Sequence, residues 1–292
     1  MISRALESAP LPSRPRLERR VAVEERRRTN TLDEINRRWY ERLSAVDAFS
    51  TDDLLEPPLA LTLLKYHDHI VGQPVLDIGV GAGRTTLYLS RLTPEYVGID
   101  YSDSMVNHCR ARFPSTRFER CDMQDLSTFG SMMFRFVLIS FAALDAIGHG
   151  PRQRTLREIA RVLEPGGILA FSAHNRRCAR VRGGPTLDRS RNPLTQAANV
   201  VRWVRRARNH VRMRAFEYEG ADYALVNDPA HDFALLHYYI SKDSQRRQLE
   251  ANGFRLLEMY DHEGNPLAER SDDRGSPWIW YVARRSAFTR AL

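Results

Sequence analysis

From residue 74 onward the chain alternates short apolar runs with stretches of helical spacing. Pro74 to Gly79, Tyr96 to Asp100, Arg117 to Cys121, Phe134 to Phe141 and Ile168 to Ser172 read as strands. Between them, Arg84 to Leu92, Asp103 to Phe113 and Pro151 to Leu163 read as helices. The main runs lack the strict two-residue alternation of a strand wetted on one side, which fits burial on both faces. Buried strands alternating with helices predict an α/β fold, a mostly parallel sheet with helices on both faces. The rhythm returns near the C-terminus, with Lys242 to Ala251 helical and Phe254 to Tyr260 and Trp278 to Ala283 extended.

Two segments break the rhythm. Ahead of the first strand, Leu32, Ile35, Trp39, Leu43 and Val46 recur at three- and four-residue steps, and Pro58 to His69 reads as a second helix. Asn30 or Thr31 can cap the first of these, with Glu34 as a capping-box partner. Residues 175–236 form the other break, with Gly183-Gly184-Pro185, a long helix from about Leu194 to Phe216, and an aromatic run. The expected division is a disordered basic arm at 1–28, an N-terminal helical cap at 29–72, a ligand-binding core at 73–175, an arginine-rich lid at 176–236, and the rest of the core sheet at 237–292.

Composition narrows the class. With 292 residues, 42% hydrophobic and 27% charged, the chain can bury a full core and is neither fibrous nor wholly disordered. It has no apolar run of some eighteen residues, and its N-terminus lacks the apolar stretch of a secretory signal. Cys109, Cys121 and Cys178 have no metal-site spacing, and an odd count argues against a disulfide framework, so reduced thiols, a cytoplasmic location and no metal are expected.

The net charge of +8 is unevenly distributed. Residues 176–215 hold twelve arginines against one acid, Asp188, a net +11. Residues 1–42 carry +4, which leaves −7 for the remainder. Within the lid, Ala197, Val200, Val201, Val204, Ala207 and Val211 share a helical face, with arginines mostly around it. A packed lid with a solvated charged face is the favoured reading. Binding of an anionic acceptor or nucleic acid comes second, disfavoured by the lack of an RNA-binding module. Contact with an anionic membrane surface, with Trp203 near the interface, is the third.

The segment with the most chemistry runs from Val75 through Leu76-Asp77-Ile78-Gly79-Val80-Gly81-Ala82-Gly83 to Arg84. A buried strand enters a tight turn where three glycines, two apart, let the backbone approach a ligand, and a helix N-terminus follows. Dinucleotide enzymes space their glycines more widely. Here Asp77 precedes the turn, which suits an ammonium group and would repel a pyrophosphate. Asp100 ends the next strand, where a carboxylate can accept both ribose hydroxyls. Asp122 and Met123 follow the third, where an acid can accept from an adenine amino group and methionine can pack on the ring.

This ordered set resembles the class I S-adenosylmethionine-dependent methyltransferases, of the small-molecule type. The resemblance covers residues 74–174 closely and 237–285 as a last helix and two strands. It implies a Rossmann-like seven-stranded sheet, parallel except for its last strand, and S-adenosylmethionine as cofactor with S-adenosylhomocysteine as product. By that match Asp77, Gly79, Gly81 and Gly83 would surround the methionine part, Asp100 would hold the ribose, and Met105, Asp122 and Met123 would form the adenine pocket. The backbone near Ser140 and Phe141 would close the sulfonium side, and Tyr40, beside Trp39, would act as a lid unless the pair merely anchors its helix. Phe134-Arg135 stands where the family often has Phe-Asp, a peripheral departure.

Methyl transfer needs an in-line nucleophile and, where that nucleophile carries a proton, a base. Strand ends and the lid offer Asp145, His149, His174, His237 and Tyr239, each with a plain packing alternative; His174 and His237 are preferred. The aromatic run Phe216, Tyr218, Tyr223, Phe233, Tyr238 and Tyr239 favours an apolar or planar acceptor. The expected function is methyl transfer to the oxygen, nitrogen or carbon of a small organic acceptor, anionic or aromatic, in a biosynthetic pathway. A methyltransferase of RNA or another polyanion, and a non-catalytic S-adenosylmethionine-binding scaffold, are the alternatives. The N-terminal arm and helix leave a homodimer open.

Overall fold

The computed structural model describes residues 32–41, 53–178 and 183–287. The proposed arm at 1–28, the caps Asn30 and Thr31, and Leu43 and Val46 lie outside these residues. The described part contains helices α1 (32–40), α2 (Pro57–Lys65), α3 (Thr86–Leu92), α4 (Asp103–Arg112), α5 (His149–Val162), α6 (Pro193–Met213) and α7 (Lys242–Ala251). Strands are β1 (Val75–Ile78), β2 (Tyr96–Asp100), β3 (Arg117–Arg120), β4 (Phe134–Ile139), β5 (Leu163–Asn175), β6 (Tyr218–Glu219), β7 (Tyr223–Val226), β8 (His237–Ile240), β9 (Phe254–Tyr260) and β10 (Trp278–Arg285).

All four residues of β1 and all five of β2 are buried, as expected for strands covered on both faces. β3, β2, β1, β4 and β5 run parallel in that order, and β10 then pairs antiparallel with both β5 and β9. Alternate residues of β1 serve different layers. Leu76 and Ile78 join a cluster with Leu32 of α1, Leu156 and Ile159 of α5, and Leu249 of α7. Val75 joins the opposite cluster with Leu59 of α2, Leu89 of α3 and Val106 of α4.

Among the described residues the sheet has ten strands, where seven were expected: β6 and β7 come from the lid and β8 follows it directly. β4 pairs with β5 only as far as Ile139 opposite Phe171. Beyond that point β8 joins β5 in parallel, with His174 opposite Tyr239 and Asn175 opposite Ile240. Since Trp278 of β10 also pairs with His174, β8 occupies the edge that β4 covers nearer the start of β5. The antiparallel strands β7 and β6 extend outward from β8. The insertion therefore grows from the carboxyl end of the sheet, where ligands bind in open α/β folds.

A buried ion pair locks this junction. Arg152 of α5 and Asp145 are both fully buried, with Nη1 2.5 Å from Oδ1. The guanidinium also donates to the Leu144 carbonyl, Gln245 and Gln248, and lies 4.5 Å from the Tyr238 ring centroid. Arg152→Met strands a buried carboxylate and should cost about 3–5 kcal/mol of unfolding free energy by urea titration. Combining it with Asp145→Asn should recover part of that loss; a single variant as stable as wild type would contradict the role assigned to the pair.

Candidate active site

The cleft lies over the carboxyl ends of β1, β2 and β4 and is lined by residues of α1, the glycine turn and the lid. The turn is built as its sequence requires. Gly79, Gly81 and Gly83 all have left-handed backbones, with φ of +72°, +53° and +87°. A Cβ at Gly79 would stand 2.9 Å from Ala143, and one at Gly83 only 2.6 Å from Phe113. At Gly81 a Cβ would meet open space, so that backbone is free on the cleft side.

The Gly81 N–H donates to Asp100 Oδ2 (3.1 Å) and the Ser102 N–H to Oδ1 (2.9 Å), which fix the carboxylate against the turn. Burial raises the Asp100 pKa against these two bonds. Asp77 does not line the cleft. It is fully buried behind the turn, where Thr85 Oγ1 (2.5 Å) and Tyr96 OH (2.9 Å) both donate to Oδ2. Its Oδ1 has no partner among the described residues, and burial pushes the carboxyl up to about 7 against the two hydroxyl bonds.

Helix α1 forms one wall with Asp33, Asn36, Arg37 and Tyr40, spaced i, i+3, i+4 and i+7 on one face. Asn36 Nδ2 donates to the carbonyls of Ala146 and Leu236, which ties the helix to both core and lid. Arg37 pairs with Asp122 Oδ2, and the Gln124 N–H donates to Asp122 Oδ1 (3.0 Å). Asp33 accepts from the Gly148 N–H (2.8 Å) and burial pushes its carboxyl up to about 6. Met105, Met123, Ser140 and Phe141 complete this half of the lining.

The other half is a group of histidines. His174 at the end of β5 holds Asp145 Oδ2 through Nδ1 (2.8 Å) and its own N–H (2.6 Å). His237 at the start of β8 holds Asp228 Oδ2 through Nδ1 (2.8 Å). The two rings lie 5.1 Å apart, and His231 is 5.9 Å from His237. Burial would lower the His237 pKa, but Asp228 outweighs it and the net shift is upward. Asp228 is held well below the usual carboxylate range, since His237 overcomes the opposing effect of burial. A carboxylate only accepts, so Nδ1 of His237 donates to it and Nε2 of the neutral ring is left as a proton acceptor. Burial and the neighbouring His237 press His231 down to about 4.

Tyr239, His149, Gly83 and Trp39 stand outside the cleft lining. Tyr239 OH donates to Asp228 Oδ2 (2.7 Å). His149 Nδ1 lies 2.8 Å from Tyr238 OH, and its ring stacks on Tyr223 at 4.4 Å. Trp39 packs on His231 at 4.1 Å, so α1 meets the lid through this ring while Tyr40 faces the cleft. Sequence reasoning missed Asp228, His231 and the polar face of α1. The four-residue stripe on α1 was a readable signal, whereas Asn227-Asp228-Pro229 reads only as a turn.

Residues 75–167 match the family described as a methyltransferase domain. Phthiotriol/phenolphthiotriol dimycocerosates methyltransferase of Mycobacterium leprae is 29% identical over 172 residues, 49% of this chain and 62% of that protein. The first curated relatives are thus spanned over only 46–62% of their length. Among solved structures, the CcbJ methyltransferase from Streptomyces caelestis superposes with a TM-score of 0.55 at 19% identity, covering 85% of this chain and 97% of that one. The 1,6-didemethyltoxoflavin-N1-methyltransferase of Burkholderia thailandensis, solved with its substrate and S-adenosylhomocysteine, gives 0.52 at 14% identity, covering 96% and 93%. The fold and the matched segment define a methyltransferase domain. The chain shares its fold with solved methyltransferases, and residues 75–167 carry the sequence resemblance to that domain.

The buried Asp77 carboxyl gives a pH signature. Its folded-state pKa of about 7 lies above the ~3.9 of an unfolded aspartate. The folded state therefore holds a proton that the unfolded state has released, and this contribution to stability fades as pH rises toward and past 7. Asp77→Asn should flatten the loss of stability between pH 5 and pH 8. Parallel thermal melts of variant and wild type at the two pH values would contradict this.

Proposed function

We propose that this protein transfers the methyl group of S-adenosylmethionine to a protonated nucleophile, a hydroxyl or an amine, on a small organic acceptor, and that His237 removes the proton. The observation that carries this reading is the His237–Asp228 pair, set beside His174–Asp145 at the lid end of a cleft whose other end is the glycine turn. Bound S-adenosylmethionine supplies a methyl group already activated by its sulfonium, so the protein's part is to hold and orient two ligands and to manage one proton.

The residues fit that cofactor. Gly81 offers an uncluttered backbone, Asp100 ends β2, and Asp122 with Met123 follows the neighbouring β3, with Met105 in the same lining. On this reading the glycine turn and Thr85, which Asp77 holds from behind, would take the methionine part, Asp100 the ribose, and Asp122 with the two methionines the adenine. Arg37 would hold Asp122 in place and Tyr40 would cover the bound molecule.

At the acceptor end, Asp228 orients His237 and stabilises the imidazolium formed when it takes the proton, while Tyr239 donates to the same carboxylate oxygen. His174, held by Asp145, would accept from a second polar group of the acceptor. A small-molecule acceptor agrees with relatives named for such substrates.

Calorimetry with S-adenosylhomocysteine tests the cofactor half: Asp100→Ala should weaken binding at least tenfold, an effect on the order of one lost charged hydrogen-bond acceptor. Equal affinity would remove the assignment. For the base, His237→Ala should lower kcat by about 10²–10⁴-fold while cofactor affinity changes little. Because Asp228 raises the His237 pKa, the acid limb of kcat/KM should lie above the ordinary value of about 6.5, and Asp228→Asn should move it to lower pH. An unmoved limb would exclude His237 as the titrating base.

A further inference from the structure

Helix α6 is packed the wrong way round for an ordinary amphipathic lid. Its polar face meets the rest of the lid. Asn209 Nδ2 donates to the Asp232 carbonyl, His210 Nδ1 lies 2.8 Å from Asn227 Oδ1, and Arg205 and Arg206 both pair with the Asp232 carboxylate. Its apolar stripe faces solvent. Leu194, Val201, Val204 and Val211, at steps of seven, three and seven residues, are 83%, 71%, 52% and 73% exposed. Such a stripe would normally be turned to the core. Arg208 interrupts it and Arg212 runs along its edge, and neither has an acidic partner among the described residues.

The geometry points to α6 as a surface helix that docks on an anionic lipid bilayer, its valines and leucine entering the interface and its outward arginines meeting lipid phosphates. Charge decides between occupants. A second copy would bring another segment of net +11 against the first, and the chain's own residues 1–42 carry +4, so both are repelled. A nucleic acid would meet the arginines but leave the stripe of aliphatic side chains without a role, since bases stack on aromatic rings. Trp203, the helix's one tryptophan, is turned back onto the Pro185 carbonyl. Of these occupants, an anionic bilayer is the one that satisfies both the apolar and the cationic features. No helix among the described residues is long and apolar enough to cross a membrane, so the contact is with the surface.

This reading is independent of methyl transfer and is tested without cofactor or acceptor. The full chain is co-sedimented with vesicles of equal phosphatidylglycerol and phosphatidylcholine, and with vesicles of phosphatidylcholine alone. Binding is expected to the anionic vesicles only, and to weaken with added salt. The triple variant Leu194→Ser/Val201→Ser/Val204→Ser and the double variant Arg208→Gln/Arg212→Gln should each reduce partitioning on the order of tenfold or more. Circular-dichroism melts confirm that both variants fold, which substitutions at exposed positions allow. The proposal is overturned by absence of binding, or by equal binding of either variant. It is also overturned if sedimentation velocity shows a dimer that Val201→Ser dissolves, which would assign the stripe to a second copy. Tighter binding to an oligoribonucleotide, indifferent to the serine substitutions, would assign the helix to nucleic acid.

Discussion

The architecture turns on the fully buried Arg152–Asp145 pair. Burying two charges is expensive, and a pair of this kind persists only when the remaining donors and acceptors are satisfied. Here Arg152 reaches Leu144, Gln245 and Gln248, and the free oxygen of Asp145 takes both the backbone and the ring of His174. One guanidinium thereby connects α5, α7, the segment after β4 and the end of β5. Its face against Tyr238 adds β8, the strand through which the lid enters the sheet. The position of His174 in the cleft is thus a consequence of the core and needs no separate support.

His237 is held by a different device. The lid backbone at His231, Asp232 and Phe233 is left-handed in three successive non-glycine residues, a conformation that costs energy at each. Asn227 donates to the Phe233 and Leu235 carbonyls, and α6 supplies Arg205, Arg206 and Asn209 to Asp232. The Asp232 carboxyl is held below its ordinary range, as these arginines overcome the effect of partial burial. This clamp sets His231 over the cleft and fixes the turn from which Asp228 reaches His237. The arginines of α6 therefore divide into an inward pair, Arg205 and Arg206, with a structural task and an outward set, Arg202, Arg208 and Arg212, without acidic partners among the described residues.

That division explains what could be read from the sequence. The glycine turn, Asp100, Asp122, Met105 and Met123 belong to local strand–turn–helix units, so spacing alone places them together, and all but Gly83 among the turn glycines line the cleft. The buried strands and their helices were legible for the same reason. Asp77 was legible as a residue beside the turn, but its seat behind the cleft wall depends on Thr85 and Tyr96, eight and nineteen residues away. The lid strands β6 and β7, and β8 just after them, were missed because β6 is only two residues long and the aromatic run carries no clear alternation. The apolar face of α6 was visible as periodicity, yet its direction was not. Periodicity gives the angle between stripes, and only the partner surface decides which stripe turns inward.

The two halves of the cleft thus differ in how the chain encodes them. The half built from β1, β2 and β4 uses backbone geometry, and a substitution there, such as a side chain at Gly79 or Gly83, meets immediate steric opposition. The lid half uses side chains paired across distance: Asp145 with His174, Asp228 with His237, and Asn36 with Ala146 and Leu236. The histidine of each carboxylate pair can be exchanged alone, because the sheet beneath does not depend on the identity of the ring it carries, whereas Asp145 is also the buried partner of Arg152. A fold arranged this way can keep the glycine-turn half of its cleft fixed while the side chains of the lid half change. The strained turn at residues 231–233 marks where that freedom ends, since three left-handed residues tolerate few replacements and their clamp reaches into α6. Helix α6 and the lid end of the cleft are consequently one mechanical unit, joined through Asp232.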